Sequence, residues 1–580
     1  MTMVTDQQFP ALSDSDFRGF LAGMKTADYI ALDTESNGKD LRSGPGYTMG
    51  ISIAFRLGTF PIFRAYFPIR HFDWNYDKER IAELKEVIEN LDCIIFHNAK
   101  HDLVALENLD IHYRGKFYDT MLMAHLVNEN YFSKALDWLS RDILNDHKDR
   151  SKEMDQFLKA FGWGMAPSWM VREYAEHDAD LTLRLFEYFK PRFIAEISDE
   201  EWDYRQRFVR LIAKMEGRGI RVDTDLSKKE LAKGERRMLE IMDELDANPA
   251  SHDDLHRLLI EEMRLPVYVR TPNDKVSFNK KAMEKYEELL STRKDKTAKL
   301  ILEFRGWQKT CSSNYAAYLK LLSNDGRVRP NYKLHGTVTG RLSCADPNLQ
   351  QIPRVSDKPW NGSLKKAFIP DEGYTLYEAD YSQLELRLGA YYAKEEDLIQ
   401  IFAEGRDVFT EMASTLGMER HDTKTLVYTI QYGGGINRIS TVFGVDGTTA
   451  SEIRENFFSS YPGFRIVARR ASMVARNKGY VKLWSGRRRH FNDPQNDNFK
   501  AFNAIVQGGA ADIVMRTMLR LEDAVDSDNC RMLLQVHDSV VFEIKNEMVE
   551  DYLPHIKAVM EDVKPDFGVK FAVEVKEWGT

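Results

Sequence analysis

The stretch Gln535-Val-His-Asp-Ser-Val-Val-Phe-Glu-Ile544, QVHDSVVFEI, is the most informative segment of this sequence. It follows another apolar run, Met532-Leu-Leu534, and together the two are typical of buried β-structure that forms a pair of strands. A buried carboxylate costs several kcal/mol unless it is hydrogen-bonded, protonated or bound to a cation. Asp538, in the middle of the stretch, therefore needs a partner, and other segments indicate its nature.

The composition of the chain indicates a soluble protein of several domains. Its 580 residues are too many for one hydrophobic core, and 43% hydrophobic with 29% charged residues is ordinary for a globular protein. No apolar run is long enough to cross a bilayer, and the first residues lack the blocks of a signal peptide. We therefore expect a cytoplasmic protein without a membrane partner. The cysteines lack CxxC spacing, which argues against zinc and disulfides.

One segment is strongly basic although the whole chain carries a net charge of −9. Between Gly463 and His490 there is no Asp or Glu. Its basic residues are Arg465, Arg469, Arg470, Arg476, Lys478, Lys482, Arg487, Arg488 and Arg489. The segment could be a solvated helix face, but such faces usually mix both signs of charge. We therefore favour a phosphate-binding surface.

Hydrophobic periodicity divides the chain into two parts. From Tyr29 to about Lys190 the pattern is α/β. The predicted elements there are strands at Tyr29–Leu32, Met49–Phe55 and Cys93–Phe96 and a helix at Ile81–Leu91. After Pro191 long charged helices continue to about Lys320, and from Asp325 onward strands alternate with helices. We expect an α/β domain followed by a larger part that ends as α+β.

Acidic side chains recur at the ends of the predicted N-terminal elements. Asp33 and Glu35 are two residues apart on a strand, so both carboxylates can face one point. The segment Phe96–Asp102 is predicted to end another strand with Asp102, and Tyr174 and Asp178 are one helical turn apart. Each motif alone has an ordinary explanation, since the DTE triplet is common and the last pair could be an exposed helix surface.

In this order the motifs resemble the three exonuclease motifs of the DnaQ-like 3′→5′ exonucleases, the proofreading domains of DNA polymerases. The resemblance covers about Asp28 to Leu185 and implies an RNase H-like domain at 1–195. The implied ligands of two Mg²⁺ ions, which Mn²⁺ could replace, are Asp33, Glu35, Asp102 and Asp178. Tyr174 would orient the attacking water. Asp119 could support the metal ligands or cap a helix.

A second pair of carboxylates explains Asp538. The predicted strand Thr375–Asp380 also ends in an aspartate, and the chain then turns helical over Tyr381–Arg387. If this strand lies beside the one that carries Asp538, the two carboxylates meet at a metal site, and a cation removes the cost of burying them.

Arg420, Lys424, Tyr428 and Tyr432 are spaced four residues apart. On a helix they form one stripe. Two cations followed by two rings could bind a triphosphate and stack against a base and sugar. The segment could equally be a helix with a tyrosine edge facing the core and its basic residues in water.

Together these segments resemble motifs A, B and C of the family A DNA polymerases, the group of bacterial DNA polymerase I. Thr339–Ser343, Asp346–Gln350 and Gln507–Asp512 match further segments of that family, and the resemblance runs from about Met215 to the C-terminus. It implies a right-hand polymerase domain at 196–580. The implied subdomains are the thumb at about 200–325, the fingers at about 395–495 and the palm at about 326–394 and 496–580.

The resemblance also implies a role for individual residues. Asp380, Asp538 and the backbone carbonyl of Tyr381 would hold two Mg²⁺ ions. Arg420 and Lys424 would contact the incoming triphosphate, and Lys424 could protonate pyrophosphate. Glu385 would be a steric gate against ribose, Tyr428 would favour acceptance of dideoxynucleotides, and Tyr432 would stack near the templating base. The implied DNA contacts are Arg341, Asn503, Gln507 and His537 at the primer terminus and minor groove and Arg487 and Arg488 in the basic segment.

The sequence departs from the family pattern at three positions. Ser539 replaces the usual glutamate, Thr429 a glycine and Cys344 a serine. The chain also starts at the exonuclease segment without a 5′ nuclease, and the thumb has no large insertion for a processivity subunit. We therefore expect a stand-alone or phage-type monomeric enzyme of a bacterial or phage-infected cell. Its expected partners are primer-template DNA, dNTPs and possible replisome proteins such as a helicase, a primase and a single-strand binding protein.

Two alternatives have distinct consequences. An exonuclease whose C-terminal part only clamps nucleic acid would degrade but never synthesise, and the intact Arg420/Lys424/Tyr428 stripe argues against it. A single-subunit RNA polymerase would share the palm, but Glu385 disfavours it.

Overall fold

The computed structural model describes residues 9–38, 40–42, 44–147, 150–353, 358–362, 364–563 and 565–579. The start of the chain, where we expected no signal peptide, lies partly outside the described residues. In the described ranges no helix is both long and apolar enough to span a membrane. All four cysteines have free thiols, and three of them are buried.

The N-terminal part is built around a five-stranded mixed sheet. Its strands are β1 (Ile30–Asn37), β2 (Tyr47–Phe55), β3 (Phe63–Pro68), β4 (Cys93–Phe96) and β5 (Lys116–Asp119). Its helices are α1 (Asp14–Thr26), α2 (Lys78–Glu89), α3 (Ala99–Asn108), α4 (Thr120–Val127), α5 (Leu136–Leu139), α6 (Lys152–Phe161) and α7 (Ser168–Glu196). The strand order is β3-β2-β1-β4-β5. The first three strands are antiparallel, whereas β4 and β5 run parallel to β1. This is the sheet expected of an RNase H-like domain.

The chain then forms α8 (Asp199–Arg218), which lies between the two parts of the molecule. On one side the Trp202 indole donates to the Phe117 carbonyl at 2.9 Å, and the Gln206 side chain accepts the Phe117 N–H at 2.7 Å. On the other side Arg207 pairs with Asp523 at 2.7 Å. Trp202 belongs to the N-terminal hydrophobic core, whereas Leu211, later on the same helix, belongs to the C-terminal core. Helix α8, which the expected thumb at about 200–325 includes, is therefore bonded to both parts of the molecule.

A helical unit with its own core follows. Its elements are β6 (Ile220–Val222), α9 (Thr224–Leu245), α10 (His252–Leu255), α11 (Lys280–Thr292), α12 (Thr297–Thr310) and α13 (Ala316–Lys320). Residues from Ile241 to Phe304 form a hydrophobic cluster separate from the rest of the molecule. This unit corresponds to the helical stretch expected to form the thumb. Helix α7 in turn continues through Pro191, where we had predicted the change in character, and ends at Glu196.

The remaining part of the chain forms a second large sheet, three smaller sheets, one of which includes β6, and the helices beside them. Its first half contains β7 (Arg327–Val328), β8 (Asn331–Lys333), β9 (Ser343–Ala345), β10 (Phe368–Ile369), β11 (Tyr374–Tyr381), α14 (Leu384–Ala393), α15 (Glu396–Ala403), α16 (Val408–Leu416), α17 (Arg420–Gln431), α18 (Ile436–Phe443), α19 (Gly447–Ser460) and α20 (Pro462–Lys478). Its second half contains β12 (Tyr480–Lys482), β13 (Arg488–His490), α21 (Pro494–Asp497), α22 (Ala501–Ala524), β14 (Cys530–Val536), β15 (Ser539–Lys545), α23 (Val549–Glu561) and β16 (Val573–Glu577). The main sheet has the order β14-β15-β11-β16 and is antiparallel.

Candidate active sites

Three carboxylates of the N-terminal domain converge at one point. Asp33 and Glu35 project from β1, and Asp178 projects from the middle of α7. One ligand oxygen from each of the three lies within 4.8 Å of the other two. Oxygen donors at this spacing suit a hard divalent cation such as Mg²⁺. The residues present therefore fit the metal that the sequence implied.

Asp102 lies beside this cluster but on an element that we had not predicted. It is in the first turn of α3, which starts right after Asn98 adopts a left-handed backbone conformation. The Thr34 N–H and hydroxyl donate to Asp102 Oδ1 at 3.1 and 2.8 Å. Burial and the neighbouring Asp33 carboxylate raise the pKa of Asp102 well above its usual range. Thr34, the middle residue of the DTE triplet, thus fixes Asp102 against the strand that carries Asp33 and Glu35.

Asp119 is the helix cap that we had considered as one of two roles. Its carboxylate accepts the N–H groups of Met121 and Leu122 at the start of α4, at 3.0 and 3.3 Å. It also accepts those of Asn98 and Ala99, at 3.0 Å each, at the start of α3. Burial raises the pKa of Asp119 to about 6 despite these donors. Asp119 therefore ties together the two helix starts next to the carboxylate cluster.

Tyr174 lies on α7 one turn before Asp178 and is half-buried. Its ring centroid is 6.0 Å from that of Trp163. The described structure therefore positions Tyr174 and Asp178 on one helix, as their spacing predicted.

Asp380 and Asp538 are brought together at one end of the second sheet. The QVHDSVVFEI stretch splits into β14 and β15, and His537 and Asp538 form the tight turn between them. Asp380, near the end of β11, is the cross-strand partner of Ser539. The Tyr381 N–H donates to the Asp538 carbonyl at 3.3 Å. Residues 158 positions apart in sequence thus become neighbours through a single strand pairing.

Arg341 supplies positive charge at this point. Its guanidinium donates to Asp538 at 3.2 Å and also to Glu385. Burial of Arg341 works against its charge, but Asp538 and Glu385 outweigh that effect and raise the pKa of Arg341. The partner that Asp538 requires is therefore Arg341 in this structure, and a metal cation could take the place of its guanidinium.

The neighbours of Glu385 mark the site as strongly negative. Burial raises the pKa of Glu385, Asp538 raises it further, and Arg341 acts in the opposite direction. Burial and the same two carboxylates raise the pKa of Tyr428 to about 12. Burial and Glu385 likewise raise the pKa of Tyr432. Because these groups disfavour each other's ionisation, bound divalent cations would relieve the repulsion.

The four-residue stripe forms as predicted on α17, with Tyr432 just past its last helical residue. Phe409 of α16 lies under the stripe. Its ring centroid is 5.8 Å from the Arg420 guanidinium, 5.7 Å from Lys424 Nζ and 6.0 Å from the Tyr428 ring. Arg420 pairs with Asp407 at 2.7 Å, and both remain largely exposed. The two cations therefore stay accessible, while Tyr428 is partly buried against the large C-terminal core.

The expected primer contacts lie on two elements next to this site. Asn503 and Gln507 are one turn apart on α22, and His537 precedes Asp538 in the β14–β15 turn with a left-handed backbone. The Asn503 side-chain oxygen is buried and accepts no hydrogen bond from the described residues. Arg341 and His537 line one small cavity.

The prediction that Arg487 binds DNA is wrong in this structure. The side chain of Arg487 is only 3% exposed and pairs with the buried Asp512, with Nε 3.3 Å from Oδ1. It also donates to the Thr339 carbonyl at 2.7 Å. Arg487 therefore holds the loop that carries Arg341.

Arg488 and Arg489 form ion pairs with carboxylates of the N-terminal domain. Arg488 pairs with Glu196 at the end of α7 at 3.1 Å, and Arg489 pairs with the buried Glu129 at 2.7 Å. The end of the basic segment thus fastens the β12–β13 hairpin to the N-terminal domain. The exposed basic residues of the segment are Arg469, Arg470, Arg476, Lys478 and Lys482.

Glu378 is a residue of this site that the sequence analysis missed. It lies two residues before Asp380 on β11 and is buried. The Ser539 hydroxyl donates to one of its oxygens at 3.1 Å, and Lys365 Nζ donates to the other at 2.7 Å. The serine that replaces the family's glutamate is therefore in contact with a glutamate from the adjacent strand. The signal was present in the sequence as an acidic residue inside an apolar strand.

The chain belongs to DNA polymerase family A. Residues 221–579 match the model of that family, and residues 11–194 match the model described as 3′-5′ exonuclease. Domains of these two families generally use divalent metals.

Curated relatives cover nearly the whole chain. It is 29% identical to DNA polymerase I of Rhizobium leguminosarum over 94% of this chain and 57% of the relative. It is 27% identical to DNA polymerase I of Pseudomonas aeruginosa over 95% of this chain and 63% of the relative. The thermostable DNA polymerase I of Thermus thermophilus is 33% identical over 75% of this chain and 57% of the relative. The chain thus spans less than two thirds of the length of these relatives.

A solved structure has the same fold. The POL domain of Pol1 from M. smegmatis, in complex with a DNA primer-template and dNTP, superposes with a TM-score of 0.82 and covers 98% of both chains. The two sequences are 22% identical.

Proposed function

We propose that this protein is a template-directed DNA polymerase that extends a primer 3′-hydroxyl with dNTPs and proofreads with its 3′→5′ exonuclease domain. The proposal is supported by the pairing of β11 with β15, in which Asp380 is the cross-strand partner of Ser539, the residue after Asp538. Arg341 donates to both Asp538 and Glu385 at the same end of the sheet. Primer-template DNA and dNTPs are the substrates. We expect a monomer that works with replisome proteins such as a helicase, a primase and a single-strand binding protein.

Asp380, Asp538 and the Tyr381 carbonyl would hold two Mg²⁺ ions at the polymerase site, and Mn²⁺ could replace them. When bound, such ions lower the pKa of the primer hydroxyl and stabilise the leaving pyrophosphate. Arg341 compensates the charge of Asp538 in the present structure. A metal cation at Asp538 would free the Arg341 guanidinium to contact the primer terminus. Arg341 would thus pair with Asp538 without metal and with the primer when metal is bound.

The stripe on α17 would position the nucleotide. Arg420 and Lys424 are exposed cations that would bind the triphosphate, and Lys424 would protonate the departing pyrophosphate. Tyr428 would lie against the sugar and Tyr432 near the templating base. Glu385, held by Arg341, would occupy the space of a ribose 2′-hydroxyl.

The primer-template duplex would lie against α22 and the β14–β15 turn. Asn503, Gln507 and His537 are donors and acceptors placed next to the carboxylates. They would contact the minor groove, where acceptors common to all correct pairs report the shape of the pair.

In the exonuclease domain Asp33, Glu35 and Asp178, with Asp102 beside them, would hold two further divalent ions. Tyr174 would orient the water that attacks the phosphodiester. The two sites would work independently, because their carboxylates come from different domains.

Primer extension on a primed template, with and without dNTPs, tests the proposal. We expect synthesis with all four dNTPs and digestion without them. Asp538→Ala should abolish synthesis and keep digestion, and the double variant Asp33→Ala/Glu35→Ala should do the reverse. Continued extension by Asp538→Ala would refute the assignment. Digestion without any synthesis by the unmodified enzyme would favour the exonuclease that merely clamps nucleic acid.

A further inference from the structure

An aromatic side chain with no role in the proposed mechanism is exposed beside the end of the nucleotide stripe. Phe499 lies in the short turn Asn498–Lys500 that precedes α22 and is 51% exposed. A single exposed phenyl ring is common on protein surfaces and means little by itself. The surroundings of Phe499 give it significance.

Phe499 lies directly against the glycine that follows Tyr432. A Cβ atom on Gly433 would be 2.7 Å from the Phe499 carbonyl and 3.2 Å from its ring carbon Cδ2. Gly433 also has a φ of +82°, which strains other residues. Tyr432 itself is 43% exposed. Two accessible rings therefore flank a point where the backbone has no side chain.

Positive charge borders the same surface. A Cβ atom on Gly434 would be 3.3 Å from Cγ of Arg438, an exposed residue in the first turn of α18. Arg438 makes no ion pair with any carboxylate in the described part of the chain. Lys500 Nζ is 5.5 Å from the Phe499 ring centroid and shares its charge with Asp497 at 2.6 Å. Arg438 is thus the available cation.

We propose that Phe499 is a stacking site for the single-stranded template, one nucleotide ahead of the base that is being copied, with Arg438 against the adjacent phosphate. The inference rests on the proposed function and extends it. A flat ring next to a cation binds single-stranded nucleic acid with little sequence preference, because every base has a stacking face. The template is the occupant because Tyr432, whose hydroxyl points toward Glu385, connects this surface to the polymerase site.

The test uses full-length enzyme and a primer-template that carries 2-aminopurine at the first template position beyond the templating base. Stacking quenches the fluorescence of 2-aminopurine, so we expect the unmodified enzyme to change the emission on binding. Phe499→Ala should abolish that change and weaken binding of the overhanging template by about 5- to 100-fold. Binding of a blunt duplex should stay the same.

Two variants make the outcome specific. Phe499→Trp keeps a stacking surface and should bind the overhang at least as well as the unmodified enzyme. Phe132→Ala removes a phenyl ring that is 90% exposed on the exonuclease domain and should change nothing. The proposal is overturned if Phe499→Ala binds the overhang normally, or if it weakens blunt and overhanging duplexes equally. If the unmodified enzyme does not extend a primer at all, the proposed function is refuted instead.

Discussion

Replacing Asp512 should show how much one buried carboxylate supports the polymerase domain. Asp512 lies on α22 with its side chain 1% exposed. It pairs with Arg205 of α8 at 3.0 Å and with Arg487 at 3.3 Å, and it accepts the Ser485 hydroxyl at 2.5 Å. Asp512→Asn removes the one negative charge that lies between the two guanidinium groups.

The expected loss is large because Arg487 stays buried and loses the carboxylate that it pairs with, whereas Arg205 keeps the buried Glu201 at 2.7 Å. Breaking a buried ion pair from one side costs about 3–5 kcal/mol, and the amide oxygen of asparagine can still accept a hydrogen bond, so we expect the lower end, about 3 kcal/mol. The polymerase unit at 221–579 has 359 residues, and at an unfolding entropy of about 2.1 cal/mol/K per residue this loss lowers the midpoint of thermal unfolding by about 4 °C. The matched control is Asp523→Asn on the same helix. Asp523 pairs with Arg207 at 2.7 Å, but the two side chains are 62% and 43% exposed, so its loss should cost at most about 1 kcal/mol.

The difference should depend little on pH above 5. Burial opposes ionisation of Asp512, but Arg487 and Arg205 outweigh it and hold the pKa of Asp512 below its usual range. A carboxyl whose pKa is lower in the folded state stabilises fully above the unfolded value, near 3.9, and loses that effect as the pH falls through the folded value. The gap between unmodified enzyme and Asp512→Asn should therefore stay constant from about pH 8 to pH 5.

Differential scanning calorimetry of the three proteins measures these effects. Primer extension gives an independent reading, since Arg487 holds the Thr339 carbonyl in the loop that carries Arg341. Asp512→Asn should slow synthesis more than digestion of single strands. The reasoning fails if Asp512→Asn destabilises the protein no more than Asp523→Asn.

The remaining predictions concern the polymerase site. Glu385→Ala should raise incorporation of rNTPs relative to dNTPs by about tenfold or more, measured by single-nucleotide insertion; an unchanged ratio would contradict a steric role. Tyr428→Phe should raise discrimination against dideoxynucleotides by about three- to tenfold, the value of one hydrogen bond, and strong discrimination by the unmodified enzyme would already speak against it. Ser539→Glu should slow synthesis because its carboxylate would meet Glu378, and adding Glu378→Ser should restore much of the rate; additive losses in the double variant would rule out that contact.

The sequence was sufficient for the strands that carry Asp33, Glu35 and Asp380 and for the hairpin that carries Asp538. An aspartate at the end of one apolar strand and another in the turn of a hairpin are visible as patterns, and family resemblance supplied their pairing. The helical stripe from Arg420 to Tyr432 was also correct, since it depends only on a spacing of four residues. These features are local, or they depend on one pairing of strands.

Features that depend on distant partners were not predictable. Arg487 belongs to a run of basic residues, and nothing near it in sequence shows that the buried carboxylate of Asp512 neutralises its charge. Asp102 was assigned to a strand end because the left-handed turn at Asn98, which starts α3 early, leaves no strong pattern. The role of α8 also depends on both sides of the molecule. Its charged residues are typical of a surface helix, and the sequence does not show that α22 packs against them.

Helix α8 makes hydrogen bonds and ion pairs with both domains, and these contacts restrict the movement of one domain relative to the other. The protein then fixes the distance between the carboxylates of the exonuclease site and those of the polymerase site. In the proposed function the primer strand moves from one site to the other. The primer end must separate from the template to reach the exonuclease site, and the free energy of separation is lower when the terminal base pair is mismatched. Part of the selection against copying errors would therefore come from the double helix itself.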